Sequence, residues 1–288
     1  MTRNRTSFVA AGAVLAAAVL LYWPILAKLA HDWATDDNYS HGFFILPLAG
    51  YFAWERRGRL AAAPRRPALT GLLLVVAGLA TLLVGRLGAD LFLPRVSLLV
   101  VLAGAIVYLA GWPTVAVLAF PLAFLLLMIP LPAIVFNEVA FPLQLVASAL
   151  GASVVSALGI PVLREGNLIV LARTTLEVAE ACSGIRSLVS LLTLGIVYGY
   201  FTDSRTSVRT LIALSTIPIA IVANAARVAG TGIAAHYYGD GVAHGFLHTF
   251  SGWVVFGVAL VLTVIAARVI VHMAPARPRN ASTAVTAS

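Results

Sequence analysis

The residue best suited to do chemistry in this chain is Cys182, the only cysteine among 288 residues. It lies where a polar, strand-like segment gives way to a long apolar run, in Glu177-Val178-Ala179-Glu180-Ala181-Cys182-Ser183-Gly184-Ile185-Arg186-Ser187-Leu188. A helix beginning near Ser183 would place the thiol among free backbone N–H groups, which stabilise the reactive thiolate. Arg186 would share its face if the helix extends back to Cys182, whereas Glu180 disfavours a thiolate. The alternative is a buried, inert cysteine.

Two further polar residues beside apolar runs complete a set that can transfer an acyl group. Arg227 ends one apolar run, and His248 precedes the last one. A thiolate can attack a peptide carbonyl, an imidazole can protonate the leaving amine and activate the next nucleophile, and a guanidinium can stabilise the oxyanion. Asn224, three residues before Arg227, lies on the same predicted helix face and could orient the guanidinium. His41, in Asn38-Tyr39-Ser40-His41-Gly42, is a candidate for a supporting role.

The arginine and the histidine also have simpler interpretations. Arg227 could be an anchor that snorkels to the membrane surface. His248 could be an ordinary interfacial histidine. His244 and His248 are four residues apart and could also bind zinc, with His236 or Asp240 as a third ligand. That spacing lacks the intervening glutamate of the zinc-protease motif, so we expect no metal and no cofactor.

The composition identifies a polytopic membrane protein, because 61% of the residues are hydrophobic, 10% are charged and the mean hydropathy is +0.98. The net charge of +8 does not indicate nucleic-acid binding, since the arginines flank apolar runs as the positive-inside rule requires. One cysteine excludes an intramolecular disulfide and a cysteine-rich metal site. The first apolar run is long for a signal peptide and is interpreted as a retained span.

The apolar runs predict an all-α fold with about eight transmembrane helices, at about 7–27, 41–55, 69–86, 96–111, 114–130, 183–201, 210–228 and 250–271. Five arginines at 56–66 fix that loop inside, together with Arg205, Arg209 and the C-terminus. The loops 28–40 and 229–249 are then outside. We expect a single integral-membrane domain over 1–275 and a disordered cytoplasmic tail over 276–288.

Two segments between the fifth and sixth predicted spans have a different character. Residues 131–162 contain prolines, serines and Glu138, and counting them as a span would reverse the side of the Arg205 loop. They are therefore predicted to form an interfacial or re-entrant helix on the outer face. Residues 168–171 and 174–178 are β-prone, with 164–167 as a turn, which predicts a small extracytoplasmic β-hairpin that leads to Cys182.

At these residues the chain resembles the exosortase/archaeosortase family of membrane transpeptidases. The matching segments are Glu180-Ala181-Cys182-Ser183-Gly184-Ile185-Arg186-Ser187-Leu188, Asn224-Ala225-Ala226-Arg227, His248-Thr249-Phe250-Ser251-Gly252-Trp253 and the early Tyr39-Ser40-His41-Gly42. The resemblance extends over about 15–272, and the order and spacing of the motifs make it specific.

The resemblance implies that Cys182 is the nucleophile, His248 the acid/base and Arg227 the oxyanion stabiliser of a cysteine peptidase or transpeptidase. It also implies membrane-anchored substrates with a C-terminal sorting signal, which consists of a Pro-Glu-Pro motif, a transmembrane helix and a basic cluster. The new carboxyl end would pass to a cell-surface acceptor, and in bacteria the family is linked to exopolysaccharide production. The expected location is the inner (plasma) membrane, with cytoplasmic termini and a periplasmic active site.

Two other function classes stay open on the residues alone. One is a membrane acyltransferase that forms a thioester with a lipid acyl chain on Cys182. The other is a non-enzymatic transporter or assembly factor that binds an anion through Arg227 and the histidines.

Overall fold

The computed structural model describes residues 2–172, 174–178, 184–239 and 246–274, with backbone alone for 2–11, 13–15 and 246–249. The chain forms helices, three short strands and a 3-10 turn, Leu125–Met128. The helices are α1 Thr2–Thr35, α2 Gly42–Glu55, α3 Arg57–Ala62, α4 Thr70–Leu87, α5 Phe92–Ala110, α6 Trp112–Phe124, α7 Ala133–Ala157, α8 Ile185–Thr202, α9 Thr206–Tyr238 and α10 Phe246–Met273. The mostly helical architecture of a polytopic membrane protein is confirmed. The predicted tail 276–288 lies outside the described residues.

Six helices in the described part of the chain are long and apolar enough to cross a membrane: Thr70–Leu87, Phe92–Ala110, Ala133–Ala157, Ile185–Thr202, Thr206–Tyr238 and Phe250–Met273. A shorter apolar stretch runs from Trp112 to Met128. The predicted number of about eight spans is therefore approximate.

Contacts along the chain divide it into two compact units, Met1–Asn137 and Glu138–Ser288. Such a division does not by itself define separately folding domains, so the single domain over 1–275 stays a prediction. Each unit is held together by its own helix contacts.

In the first unit, α4 and α5 pack closely because glycines recur every seven residues along α4. A Cβ atom on Gly71 would lie 2.2 Å from the backbone nitrogen of Tyr108, and one on Gly78 would lie 2.6 Å from Cγ2 of Val101. Small residues at such spacing let two membrane helices approach backbone to backbone. The run of glycines therefore selects α5 as the partner of α4.

Polar contacts in this unit join α1 to α5. Arg95 is buried in α5 and is paired with Asp32 of α1, which also binds Lys28 at 2.6 Å. In the same pair of helices, the hydroxyls of Tyr22 and Ser97 are 2.9 Å apart. A buried guanidinium is stable only with such a partner, so these contacts fix the register of α1 on α5.

The segment 131–162 contains one continuous helix of 25 residues, α7, which is long and apolar enough to be a candidate span. Its predicted interfacial or re-entrant placement stays a prediction. Two of its serines have carbonyl partners: Ser153 Oγ donates to Ala149 at 2.8 Å, and Ser148 Oγ lies 2.8 Å from the carbonyl of Gly166 and 3.0 Å from that of Leu145. Pro142 lies inside the helix without ending it.

The predicted β-hairpin is part of a three-stranded antiparallel sheet, β1 Val162–Glu165, β2 Leu168–Leu171 and β3 Thr175–Glu177. Residues 164 and 165, predicted as turn, belong to β1, because the turn is the two-residue loop 166–167. The inner face of β2, Ile169 and Leu171, is buried. It packs in a hydrophobic cluster with side chains of α7 and of the C-terminal half of α9.

Helices α8 and α9 are antiparallel neighbours, but α9 is much longer. A Cβ atom on Gly195 of α8 would lie 2.5 Å from Cγ2 of Thr216, and Leu191 packs with Ala220. The 18 residues of α8 span about 27 Å and the 33 residues of α9 about 50 Å at 1.5 Å per residue. Only α8 matches the hydrocarbon thickness of about 30 Å. The predicted loop 229–249 is thus helical up to Tyr238.

Candidate active site

The segment that carries Cys182 ends at a glycine in a left-handed conformation. Gly184 has φ +82° and is the N-cap of α8, which begins at Ile185. A non-glycine residue is strained at this φ, so the glycine lets the chain turn sharply into the helix. Because α8 begins only at Ile185, and Cys182 is not described, the shared face of Cys182 and Arg186 stays a prediction. Cys182 itself and Glu180 lie outside the described residues.

Both flanks of the segment 179–183 are held in place. On its N-terminal side, the backbone N–H of Val178 donates to the carbonyl of Asn167 at 2.9 Å, which extends the pairing of β3 with β2. On its C-terminal side, Gly184 contacts the side chain of Asn224 so closely that a Cβ atom would lie 2.7 Å from Asn224 Cγ. The five residues that include Cys182 therefore start and end at fixed points.

Asn224 lies at the meeting point of α7, α8 and α9 and is 3% exposed. It lines a cavity of about 10 Å³, which can hold at most one water molecule. The other lining residues are Leu143, Ala147, Gly184, Leu188, Ala220 and Ile221. A peptide cannot enter a space of this size, so a substrate would have to approach from the surface beyond Asn224.

Arg227 lies one turn beyond Asn224 on α9 and is partly exposed. Its Nη1 atom is 3.7 Å from the position that a Cβ atom of Gly252 on α10 would occupy. Gly252 is one turn after His248 in the same helix, although the side chain of His248 is outside the description. This distance is an ordinary van der Waals contact, so the guanidinium of Arg227 lies beside α10 at Gly252.

We call Gly184, Asn224, Arg227 and Gly252 the site cluster. The lengths of α8 and α9 place the site cluster near the end of the span predicted for α9. Gly184 at the start of α8 contacts Asn224, so the part of α9 before Asn224 runs beside α8. The remaining part, Ala225 to Tyr238, extends past α8 and packs against α7 and the sheet. Arg227 thus belongs to the first turn of α9 beyond the segment that α8 accompanies.

Two other candidates, Arg186 and His41, have described side chains. Arg186 is exposed in the first turn of α8. His41 belongs to the first unit, where its Nε2 donates to the carbonyl of Leu127 at 3.1 Å, beside the bond from Trp33 Nε1 to the carbonyl of Met128 at 2.9 Å. These two side chains fix the 3-10 turn after α6. The supporting roles of Arg186 and His41 stay predictions.

Most of the residues that could form the alternative zinc site lie outside the part of the chain that the structure describes. His236 is partly buried near the end of α9, nine residues after Arg227, while Asp240 and His244 are not described. Within the described ranges no three His, Cys, Asp or Glu residues lie close enough to hold a metal ion. The expectation that the site needs no metal or cofactor stays a prediction.

Gly184 and Gly252 belong to two of the motifs, but the sequence pattern predicts no role for either glycine. Their positions beside Asn224 and Arg227 depend on which helices pack together. The available signal was the position of each glycine in its motif, two residues after Cys182 and four after His248. The described contacts connect the three motifs in the order Gly184, Asn224, Arg227 and Gly252.

Comparison with known families gives one match. The family model described as transmembrane exosortase matches residues 33–265, which is most of the chain. The chain belongs to the transmembrane exosortase family. No curated protein and no solved structure matches this exosortase. The exosortase family is associated with the processing of sorting signals, and the apolar helices are those of a multi-pass membrane protein.

Proposed function

We propose that this exosortase is a membrane-embedded cysteine transpeptidase that cleaves C-terminal sorting signals through a thioester. The substrates are exported proteins anchored by a transmembrane helix that follows a Pro-Glu-Pro type motif and precedes a basic cluster. The reaction takes place at the outer face of the inner membrane. The product acyl group passes to an acceptor at the cell surface or to water.

The reaction uses three side chains in defined roles. The Cys182 thiol gives its proton to His248, and the thiolate attacks the scissile carbonyl carbon to form a tetrahedral oxyanion next to the Arg227 guanidinium. The carbon–nitrogen bond breaks, and the leaving amine takes the proton from His248. An incoming amine or water then gives a proton to His248 and attacks the thioester, which releases the Cys182 thiolate.

The observation that carries the proposal is the chain of contacts between the three motifs. Gly184, two residues after Cys182, contacts Asn224, and Arg227 reaches the backbone of α10 at Gly252. Acyl transfer needs nucleophile, base and oxyanion stabiliser within a few ångströms of one carbonyl. The three motifs are far apart along the chain, but residues within them or next to them contact one another in the folded protein. Acyl transfer requires such proximity.

The position of Arg227 along α9, relative to the end of α8, also supports the proposal. A sorting-signal motif lies directly outside the transmembrane helix of its substrate, so the enzyme must act where the chain leaves the bilayer. Arg227 lies in the first turn of α9 beyond the part that packs along α8. A guanidinium near the membrane surface can remain charged at modest cost, because a long side chain can extend its head to the interface.

The test is co-expression of the exosortase with a candidate signal-bearing protein, followed by mass mapping of the new C-terminus of that protein. The parent enzyme should yield a product cut near the Pro-Glu-Pro motif. Cys182→Ala should insert normally, since a small side chain there disturbs little packing, and uncut substrate should accumulate. Cleavage by this variant at the parental rate would rule out the transpeptidase.

The parent enzyme and Cys182→Ala together distinguish the two alternative functions. A lipid acyltransferase would give a radiolabelled lipid adduct on Cys182 of the parent and no cut in the substrate protein. A transporter or assembly factor would keep its cellular function in Cys182→Ala.

A further inference from the structure

The first unit has a group of exposed arginines in the segment that follows α2. None of them has a role in the proposed catalytic reaction. Arg57 and Arg59 lie on α3, and Arg65 and Arg66 lie in the connection to α4; all four are exposed. Glu55 is the only acidic residue between positions 37 and 90. None of the four arginines forms an ion pair with a carboxylate in the described part of the chain.

Two exposed tryptophans lie beside these arginines. Trp54, at the end of α2, is 57% exposed, and the guanidinium carbon of Arg57 is 4.1 Å from its ring centroid. Trp112, at the start of α6, is 50% exposed and donates from Nε1 to Thr70 Oγ1 at 3.0 Å. Exposed tryptophans of membrane proteins concentrate at the level of the lipid headgroups.

The backbone brings the two ends of the surface together. The N–H of Arg66 donates to the carbonyl of Ala110 at 3.0 Å, and Gly111 contacts the Arg66 carbonyl so closely that a Cβ atom would overlap it. Arg56, at the other end, donates to the carbonyl of Val117 on α6 at 3.2 Å. The connection 63–69 is thus fixed against the α5–α6 turn, and α2 against α6. We call Trp54, Arg57, Arg59, Arg65, Arg66 and Trp112 the arginine face.

We propose that the arginine face binds the headgroup phosphates of anionic phospholipids in the inner leaflet. Guanidinium groups donate two parallel hydrogen bonds to a phosphate, which a lysine cannot reproduce. Clusters of basic residues immediately inside a transmembrane helix attract anionic lipid. A lipid fits better than a free phosphate ion, because the flanking tryptophans offer an aromatic surface for the lipid body and the candidate span α4 begins four residues after Arg66.

The experiment uses the full-length protein in nanodiscs, with lipids brominated on the acyl chains as quenchers of tryptophan fluorescence. Brominated phosphatidylglycerol should quench more strongly than brominated phosphatidylcholine, and the excess should fall as salt is raised. Trp112→Phe should remove part of the excess, because Trp112 belongs to the face. Equal quenching of the parent by both lipids at low salt would overturn the proposal.

Arginine substitutions test which residues create the preference. Replacing three arginines, Arg59→Gln, Arg65→Gln and Arg66→Gln, should lower the preference for phosphatidylglycerol by about 100-fold, since one basic residue near an anionic surface contributes about five-fold. The control removes the same charge elsewhere, with Arg164→Gln, Arg268→Gln and Arg277→Gln, and should keep most of the preference. An equal loss in the control would show a net-charge effect and refute a defined site.

Inorganic phosphate separates the lipid from the free ion. Phosphate should weaken quenching only as much as chloride of equal ionic strength does. Specific and complete displacement of brominated phosphatidylglycerol by phosphate would mean that the arginine face is a site for a free anion, and the lipid proposal would be wrong.

Discussion

Gly184→Ala adds only one methyl group, but it should strongly reduce processing of the substrate. A Cβ atom at this position would lie 2.7 Å from Asn224 Cγ, 2.8 Å from Nδ2 and 2.9 Å from Cβ of the same residue. Carbon atoms in contact are about 3.5–4.0 Å apart, so the start of α8 and Asn224 must separate by about 1 Å. Such a displacement next to reacting groups can lower turnover by about 100-fold.

The alanine would also be strained by the left-handed backbone at φ +82°, at a cost of about 1–2 kcal/mol. Gly159→Ala is the matched control for that strain, because Gly159 has φ +79° and no atom within 4 Å of the point where a Cβ atom would lie. Both variants should lose the stability that the strained backbone costs, and only Gly184→Ala should also suffer the overlap with Asn224 and lose the geometry of the site.

The assay measures the fraction of signal-bearing substrate that is cut per unit of enzyme in the membrane. Both variants are first compared with the parent for membrane level and for melting temperature in detergent. If Gly184→Ala cuts substrate as fast as Gly159→Ala at equal enzyme level, then the contact between Gly184 and Asn224 does not position the site, and the reasoning fails.

Three further predictions concern the catalytic residues and the topology. Arg227→Lys should insert normally but lower turnover by about 10²–10³-fold, because a flexible ammonium does not replace a planar oxyanion donor; the exposed α10 arginine in Arg268→Lys is the control, and equal rates would favour an anchoring role for Arg227. His248→Ala should abolish cleavage while His244→Ala is mild and chelators have no effect, whereas joint loss with chelator sensitivity would indicate a metal site. A membrane-impermeant thiol reagent should label the single cysteine, Cys182, in intact cells, and labelling that requires permeabilised cells would place it inside.

The labelling result also bears on α7. Its 25 residues make it a candidate span, yet the arginines of the loop between α8 and α9 favour an outer position for the segment before α8. Ala147 and Val155 of α7 pack in one cluster with the sheet and with Val228 of α9, the half of α9 that extends past α8. A full crossing by α7 would place Cys182 inside the cell. External labelling of Cys182 would therefore indicate that α7 does not cross the bilayer completely, in agreement with the positions predicted from the arginines.

Sequence by itself determined the class of the protein and the residue types of its site. Apolar runs of span length and flanking arginines identify a membrane protein locally, because the bilayer imposes its thickness and charge rule on each segment separately. The β-prone runs before Cys182 likewise predicted β2 and β3, since the preference of β-branched and apolar residues for strands is a local property. The motifs around Cys182, Arg227 and His248 led to the exosortase family, which the family match confirms.

Tertiary structure decided what depends on packing between distant segments. The extent of α9 past Val228, the continuity of α7 through Pro142 and the third strand β1 all rest on burial of apolar faces in one cluster. No local pattern shows that burial, because its members come from separate elements. The same holds for the site: Gly184 meets Asn224 and Arg227 meets Gly252 only because α8, α9 and α10 pack side by side. Close approach of two backbones is a property of the pair, and neither sequence segment encodes it alone.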